Sequence, residues 1–234
     1  MGNEKSERIQ TSFLNKAEKV ALVWLAERQP RWVTSDMLTY IGVAGAFICA
    51  VGFALAAIDV HYLWLSSFGL FINWYGDSLD GTLARVRNTQ RPKYGFFIDH
   101  SLDVVTICLM CVGAGLSPVF RLDIALMVLA AYLGLSISTY IGTIIKGKFL
   151  LTYAGFGPTE LRLVIILMNT VYMYIEPLRT MAWTICNQTF HFFDVLGLVI
   201  IVLMAFMWLA QFLKDRKMLS ELDPLKPYNP DEKK

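Results

Sequence analysis

The sequence predicts an all-α integral membrane protein: six transmembrane helices, both termini cytoplasmic, and an amphipathic interfacial helix ahead of the first span. Three observations predict it. Of 234 residues, 56% are hydrophobic and 17% charged, against about 25% charged in an ordinary soluble domain. Several apolar runs reach the roughly 20 residues that cross a bilayer as helix. Finally, of the 21 Lys and Arg residues, all but Arg121 and Arg179 fall on one side of the six segments. That side is cytoplasmic by the positive-inside rule. The formal net charge of +2 points to no nucleic-acid partner.

Taken in order, residues 1–34 read as a cytoplasmic N-terminus. Its opening, MGNEKSERIQ, is too polar for a signal peptide, and MGNEKS fits the short N-myristoylation pattern. Residues 8–29 place Phe13, Ala17, Val20, Ala21, Trp24 and Leu25 on one stripe, with Lys16, Lys19 and Glu27 elsewhere. That is the pattern of a helix lying on a membrane surface. Pro30 ends it, and Thr34 or Ser35 can cap the next helix. The membrane domain is expected over residues 35–213, with spans at 35–57, 60–85, 95–116, 123–145, 159–175 and 193–213. Residues 86–93 join the second and third spans. From 214 to 234 the chain is charged and carries Pro224, Pro227 and Pro230, the composition of a flexible tail.

Four cysteines, Cys49, Cys108, Cys111 and Cys186, lack the His/Cys company of a zinc site and read as small apolar residues. Asn187-Gln188-Thr189 matches the glycosylation sequon, a pattern short enough to arise by chance. No internal repeat is evident.

Chemistry concentrates in one stretch, DSLDGTLARVRNTQRPKYGFFIDHSLD, residues 77–103. It holds four carboxylates, Asp77, Asp80, Asp99 and Asp103, between hydrophobic segments. Ionisable residues at a membrane are expensive and mark function by default. Asp77, Asp80, Gly81 and Ala84 share one helical face at i, i+3, i+4 and i+7, and Asp99 and Asp103 share another at i and i+4. Two such faces joined by a short loop make a cage of hard oxygen ligands, suited to Mg²⁺ or a near relative. Four clustered carboxylates repel one another, and divalent metal removes that conflict. Gly81 leaves room for close approach of a ligand, Ala84 keeps the same face low, and Arg85 can fork onto phosphate oxygens. The expected ligand is a metal-bound, diphosphate-linked substrate at the membrane surface.

The pattern Asp77-x-x-Asp80-Gly81-x-x-Ala84-Arg85, nine residues, Gly95-x-x-x-Asp99-x-x-x-Asp103 resembles the signature of the CDP-alcohol phosphotransferase family. The six-span plan agrees with it. The resemblance implies a phospholipid-biosynthesis transferase that moves a substituted phosphate group from a CDP-linked donor to an acceptor hydroxyl, releasing CMP. It implies two divalent ions, Mg²⁺ or Mn²⁺, on Asp77, Asp80, Asp99 and Asp103, and a CDP site at Asp77, Gly81, Ala84, Arg85 and Gly95. The same likeness implies homodimerisation; the positive-inside rule puts the aspartates at the cytoplasmic end of spans two and three, in what is expected to be a bacterial inner or plasma membrane.

The acceptor hydroxyl must lose a proton, so a base is needed. In much of the family the fourth aspartate has that role, here Asp103. The Asp99-His100-x-x-Asp103 variant resembles the choline/ethanolamine phosphotransferase branch, where the histidine is favoured. An imidazole with a pKa near 6.5 suits base work at neutral pH. His100 or Asp103 is therefore the expected base, both open. Two softer likenesses complete the set. SDMLTYIG opens the first span where the family often carries Pro-Asn-x-x-Thr near the nucleotide: Thr39 matches, and Asp36 replaces the Asn. Glu160 and Arg162 open the fifth span where the family often contacts substrate phosphates.

Alternatives are a UbiA-type prenyltransferase, which lacks the Gly81 and Ala84–Arg85 companions, and a divalent-cation transporter, whose acidic residues belong near mid-bilayer. Within the transferase reading, the short chain favours CDP-diacylglycerol as donor and a small alcohol as acceptor. His100 favours a small CDP-linked headgroup, choline or ethanolamine, moved to diacylglycerol; the balance leans slightly to CDP-diacylglycerol.

Overall fold

The computed structural model describes residues 8–9, 15–146, 149–150, 158–185 and 187–225. The MGNEKS start, Phe13, Gly157, Cys186, Pro227 and Pro230 lie outside the described residues. Eight α-helices account for most of the chain: α1 (Asn15–Glu27), α2 (Ser35–Leu55), α3 (Leu63–Val86), α4 (Pro92–Gly115), α5 (Leu122–Lys146), α6 (Pro158–Tyr174), α7 (Glu176–Thr180) and α8 (Phe192–Leu222). A 3₁₀ turn, Val60–Tyr62, leads into α3.

Each predicted span has its helix. Of these, α2, α4, α5 and α8 are long and apolar enough to cross a membrane, the mark of an all-α integral membrane protein. The other two fall short for visible reasons. α3 ends in the polar DSLDGTLARV, and α6 has 17 residues, below the usual 20.

The spacing predicted one helix over residues 8–29, but it begins at Asn15. Arg8–Ile9 (β1) pairs in parallel with Phe149–Leu150 (β2) instead. At the other end, α8 continues nine residues beyond the expected end of the last span at Leu213, to Leu222. The charged stretch after Leu213 contains no Gly or Pro, and Gln211 donates to Asp215 one turn on, at 2.8 Å. Helix persists until Pro224 approaches. Between α7 and α8 an antiparallel hairpin, β3 (Ala182–Ile185) and β4 (Gln188–His191), had no counterpart in the sequence reading. Asn187 sits at its turn with φ 60°, a left-handed conformation that Asn tolerates.

Around the bundle the helices follow the order α8, α5, α4, α2, α3, α6, with α1 on α3. The most extensive contact is between α2 and α3, and glycine makes it possible. A Cβ added at Gly45 would stand 2.4 Å from Asn73 N, at Gly69 2.3 Å from Cys49 N, and at Gly76 2.3 Å from Gly42 N. The two backbones nearly touch. Two apolar clusters bracket this pair: Cys49, Phe53, Leu63 and Leu70 towards one end, and Leu22, Ala26, Leu38, Leu79 and Leu83 towards the other.

The second cluster brings in α1, which packs through Leu22 and Ala26. Of its predicted apolar stripe, Ala17, Val20, Ala21 and Trp24 are exposed, while Leu25 packs against this cluster. Glu18 accepts from Trp74 Nε1 at 2.8 Å and from Thr159 Oγ1 at 2.7 Å, tying α1 to α3 and α6. Arg87, just past α3, donates to the carbonyls of Gln29, Pro30 and Val33. It holds the α1–α2 connection against the end of α3.

Candidate active site

Thr34 accepts from Met37 N at 3.2 Å and caps α2, so the polar residues after it enter the helix with a fixed phase. α3 carries Asn73, Asp77, Asp80, Gly81 and Ala84 along one face. Asn88, at φ 56°, turns the chain out of α3, and Pro92 at the first helical position starts α4. This short return lays Asp99 and Asp103 opposite Asp77. Each of the three aspartates offers a carboxylate oxygen, and these lie within 4.8 Å of one another.

They line a cavity of about 10 Å³ with Thr39, Gly42 and Val43 of α2, Asn73 of α3, and Leu102 and Thr106 of α4. It lies between the two apolar clusters. The donor set is hard oxygen, several-fold anionic and partly buried, which fits Mg²⁺ or Mn²⁺.

The fourth aspartate is placed differently. Asp80 accepts from Thr39 Oγ1 at 2.6 Å and, closely, from the Gly81 amide. Ser35 donates to its backbone carbonyl at 3.0 Å. Thr39, expected at the nucleotide, thus holds Asp80 while also lining the cavity. Arg162 reaches from α6 to Asp77 at 2.6 Å, with both side chains largely sheltered. The guanidinium expected on a substrate phosphate rests here on a carboxylate. Glu160 is buried in the first turn of α6 and does not line the cavity.

Gly81 and Gly95 are open positions. A Cβ at Gly81 would come no nearer than 3.4 Å to anything, and that atom is Arg85 Nη1; at Gly95 it would meet nothing within 4 Å. Arg85 also donates to Thr82 Oγ1 at 2.8 Å. Asp36 takes both its oxygens to Arg91, at 2.8 and 2.7 Å, while Arg91 lies 3.8 Å over the Tyr94 ring. The ion pair fastens α2 to the start of α4 beside Gly95.

His100 does not line the cavity. Its Nδ1 lies 2.7 Å from the Phe96 carbonyl. A carbonyl can only accept, so Nδ1 carries a hydrogen. The ring stacks on Phe96 at 4.1 Å and meets Tyr140 of α5 edge-on at 4.5 Å.

No protein-family model matches the chain. It is similar to cholinephosphotransferase 1 of Danio rerio, 32% identical over 96 residues, covering 38% of this chain and 25% of that protein. The chain therefore spans about a quarter of the length of the relative it matches.

Sequence reasoning missed residues on two elements. Asn73 is one turn before Asp77 on the same face and is almost wholly buried. Tyr140 of α5 meets the His100 ring edge-on at 4.5 Å. The available signal was polar spacing: Tyr132, Ser136 and Tyr140 recur at i, i+4 and i+8 in α5.

Proposed function

We propose that this protein is a membrane-embedded CDP-alcohol phosphotransferase with six spans and both ends on the cytoplasmic side. It moves a substituted phosphate group from a CDP-linked donor to an acceptor hydroxyl and releases CMP. The observation carrying this reading is the convergence of Asp77, Asp99 and Asp103 from the two halves of the motif. The likeness to a cholinephosphotransferase supports it independently.

Asp77, Asp80, Asp99 and Asp103 would hold the divalent metal, Asp80 after its carboxylate swings from Thr39. Bound there, the metal would neutralise diphosphate charge and polarise the phosphorus–oxygen bonds. Gly81 and Gly95 leave the donor open wall on which to lie, and Arg85 offers a guanidinium beside Gly81. Arg162, paired with Asp77, is within one side-chain movement of an incoming phosphate. The acceptor oxygen bonds to the phosphorus carrying the alcohol. The bond from that phosphorus to the bridging oxygen breaks, and CMP leaves with the electron pair. The hydroxyl proton passes to Asp103, which faces the cavity. His100, held between Phe96 and Tyr140, orients that end of α4.

The test is CMP release by purified protein in lipid with Mn²⁺. One arm uses CDP-diacylglycerol with pooled small alcohols, the other CDP-choline and CDP-ethanolamine with diacylglycerol. Release in either arm, abolished by chelator, is expected and fixes the donor class. Silence in both, or release indifferent to chelator, overturns the reading. His100→Ala is expected to keep kcat within a few-fold of wild type. A steep fall with metal affinity unchanged would give the base to His100 instead.

A further inference from the structure

Asn73 is 2% exposed, and its amide is only half satisfied. Nδ2 donates to the Gly42 carbonyl at 2.9 Å, which fixes which amide atom is nitrogen. Oδ1 is buried and has no hydrogen-bond partner among the described residues. Buried acceptors are nearly always paired, so such an atom calls for an explanation. Asn73 lines the same cavity as Asp77, Asp99 and Asp103, and with Nδ2 committed to α2, the carbonyl is the polar atom its side chain has left.

The cavity's size and charge say what would satisfy it. About 10 Å³ is room for one water-sized body. Three carboxylates bear on that body, and Arg162 compensates one of them. The occupant the charges favour is a cation. An amide carbonyl adds a hard oxygen without adding another negative charge, which is how Asn serves in many cation sites.

We infer that Asn73 Oδ1 is a direct ligand of the divalent cation held by Asp77, Asp99 and Asp103, closing the site on its inner, bilayer side. The inference rests on the metal-site reading above and extends it to a residue outside the aspartate motif. It also gives the contact between α2 and α3 a role in the site: the Gly42 carbonyl aims the Asn73 amide, so helix spacing sets where this ligand stands.

The experiment is Mn²⁺ binding to the full-length chain in lipid discs without nucleotide, followed by loss of the free-Mn²⁺ paramagnetic signal. It compares wild type, Asp99→Asn, Asn73→Leu and Asn73→Cys, with thermal unfolding confirming that each folds. Both Asn73 variants are expected to weaken Mn²⁺ binding about 10–100-fold, the range for losing a supporting group at a metal site. Asn73→Cys, which presents a sulfur, is expected to recover binding with thiophilic Cd²⁺ while Asn73→Leu does not. Should Asn73→Leu fail to fold, the smaller Cys side chain with its Cd²⁺ recovery carries the test alone. Mn²⁺ affinity weakened by Asp99→Asn but untouched at Asn73 would overturn this inference and leave the metal site standing. So would weakening in Asn73→Cys that Cd²⁺ does not reverse, since that marks a packing role. No binding by wild type, or none that depends on Asp99, would remove the metal-site reading and this inference with it.

Discussion

Asp99→Ala is expected to abolish CMP release, by 10²–10³-fold or more, while leaving the protein at least as stable as wild type when metal is absent. The loss of activity follows from the convergence of its carboxylate with those of Asp77 and Asp103. Removing a single preorganised electrostatic contact to a reacting group commonly costs about 10²–10³-fold. The stability has the opposite sign for the same reason. Without metal, three carboxylates whose oxygens lie within 4.8 Å of one another repel, and Arg162 neutralises Asp77. Deleting one charge relieves that repulsion. With metal the order reverses: a ligand that binds only the folded state stabilises it by about 2.7 kcal/mol at a hundred times its Kd. Wild type should gain that increment from Mn²⁺ and Asp99→Ala should not. Thermal unfolding of both proteins, each with Mn²⁺ and with chelator, reads the two signs at once. Full turnover by Asp99→Ala in chelator would end the metal-site reading; an equal Mn²⁺ increment in both proteins would remove Asp99 from it.

The structure shows why part of this site could be read from sequence and part could not. Helix boundaries in the membrane region were legible because apolarity and length are local properties. The expected spans meet their helices to within a few residues, apart from α8, which runs on to Leu222. Convergence of Asp77 with Asp99 and Asp103 was legible as well, because only five residues separate α3 from α4. What sequence could not supply was rotation and partner choice. Asp77 and Asp80 share a face, yet Asp77 turns to the other aspartates while Asp80 turns to Thr39. That choice depends on α2, which is remote in sequence from the motif. Arg162 could be placed near an anion, but whether that anion is a phosphate or Asp77 depends on the packing of α6 against α3. The β3–β4 hairpin was missed because its residues lack a strong alternating pattern. The glycines of α2 and α3 went unread for a related reason. Gly at seven-residue intervals is informative only when a facing helix carries matching small residues, and the facing partner is a tertiary fact.

Those glycines carry the second large effect. Gly76→Ala is expected to destabilise the protein by about 1–3 kcal/mol or more, the usual range for overpacking a close contact. Its new methyl would lie 2.3 Å from Gly42 N and 2.4 Å from Leu38 O. Both are backbone atoms of α2, so no side chain can yield and the helices must part. Parting them also draws Thr39 from Asp80 and Gly42 from Asn73, so activity falls with stability. Gly81→Ala and Gly95→Ala make the opposite pair. The nearest atom to a Cβ at Gly81 is the mobile end of Arg85 at 3.4 Å, and nothing lies within 4 Å at Gly95. In a helix interior Ala is favoured over Gly by about 1 kcal/mol. These two variants should therefore melt at or above the wild-type temperature, and any rise in KM for the donor reports a ligand that needs the space a Cβ would fill. A tenfold or larger rise in donor KM is expected for both, with kcat less affected. A wild-type melting temperature for Gly76→Ala would refute the packing role of the α2–α3 glycines. Unchanged donor KM in Gly81→Ala and Gly95→Ala would place the donor elsewhere, because the protein itself supplies no reason for those two positions to lack a side chain.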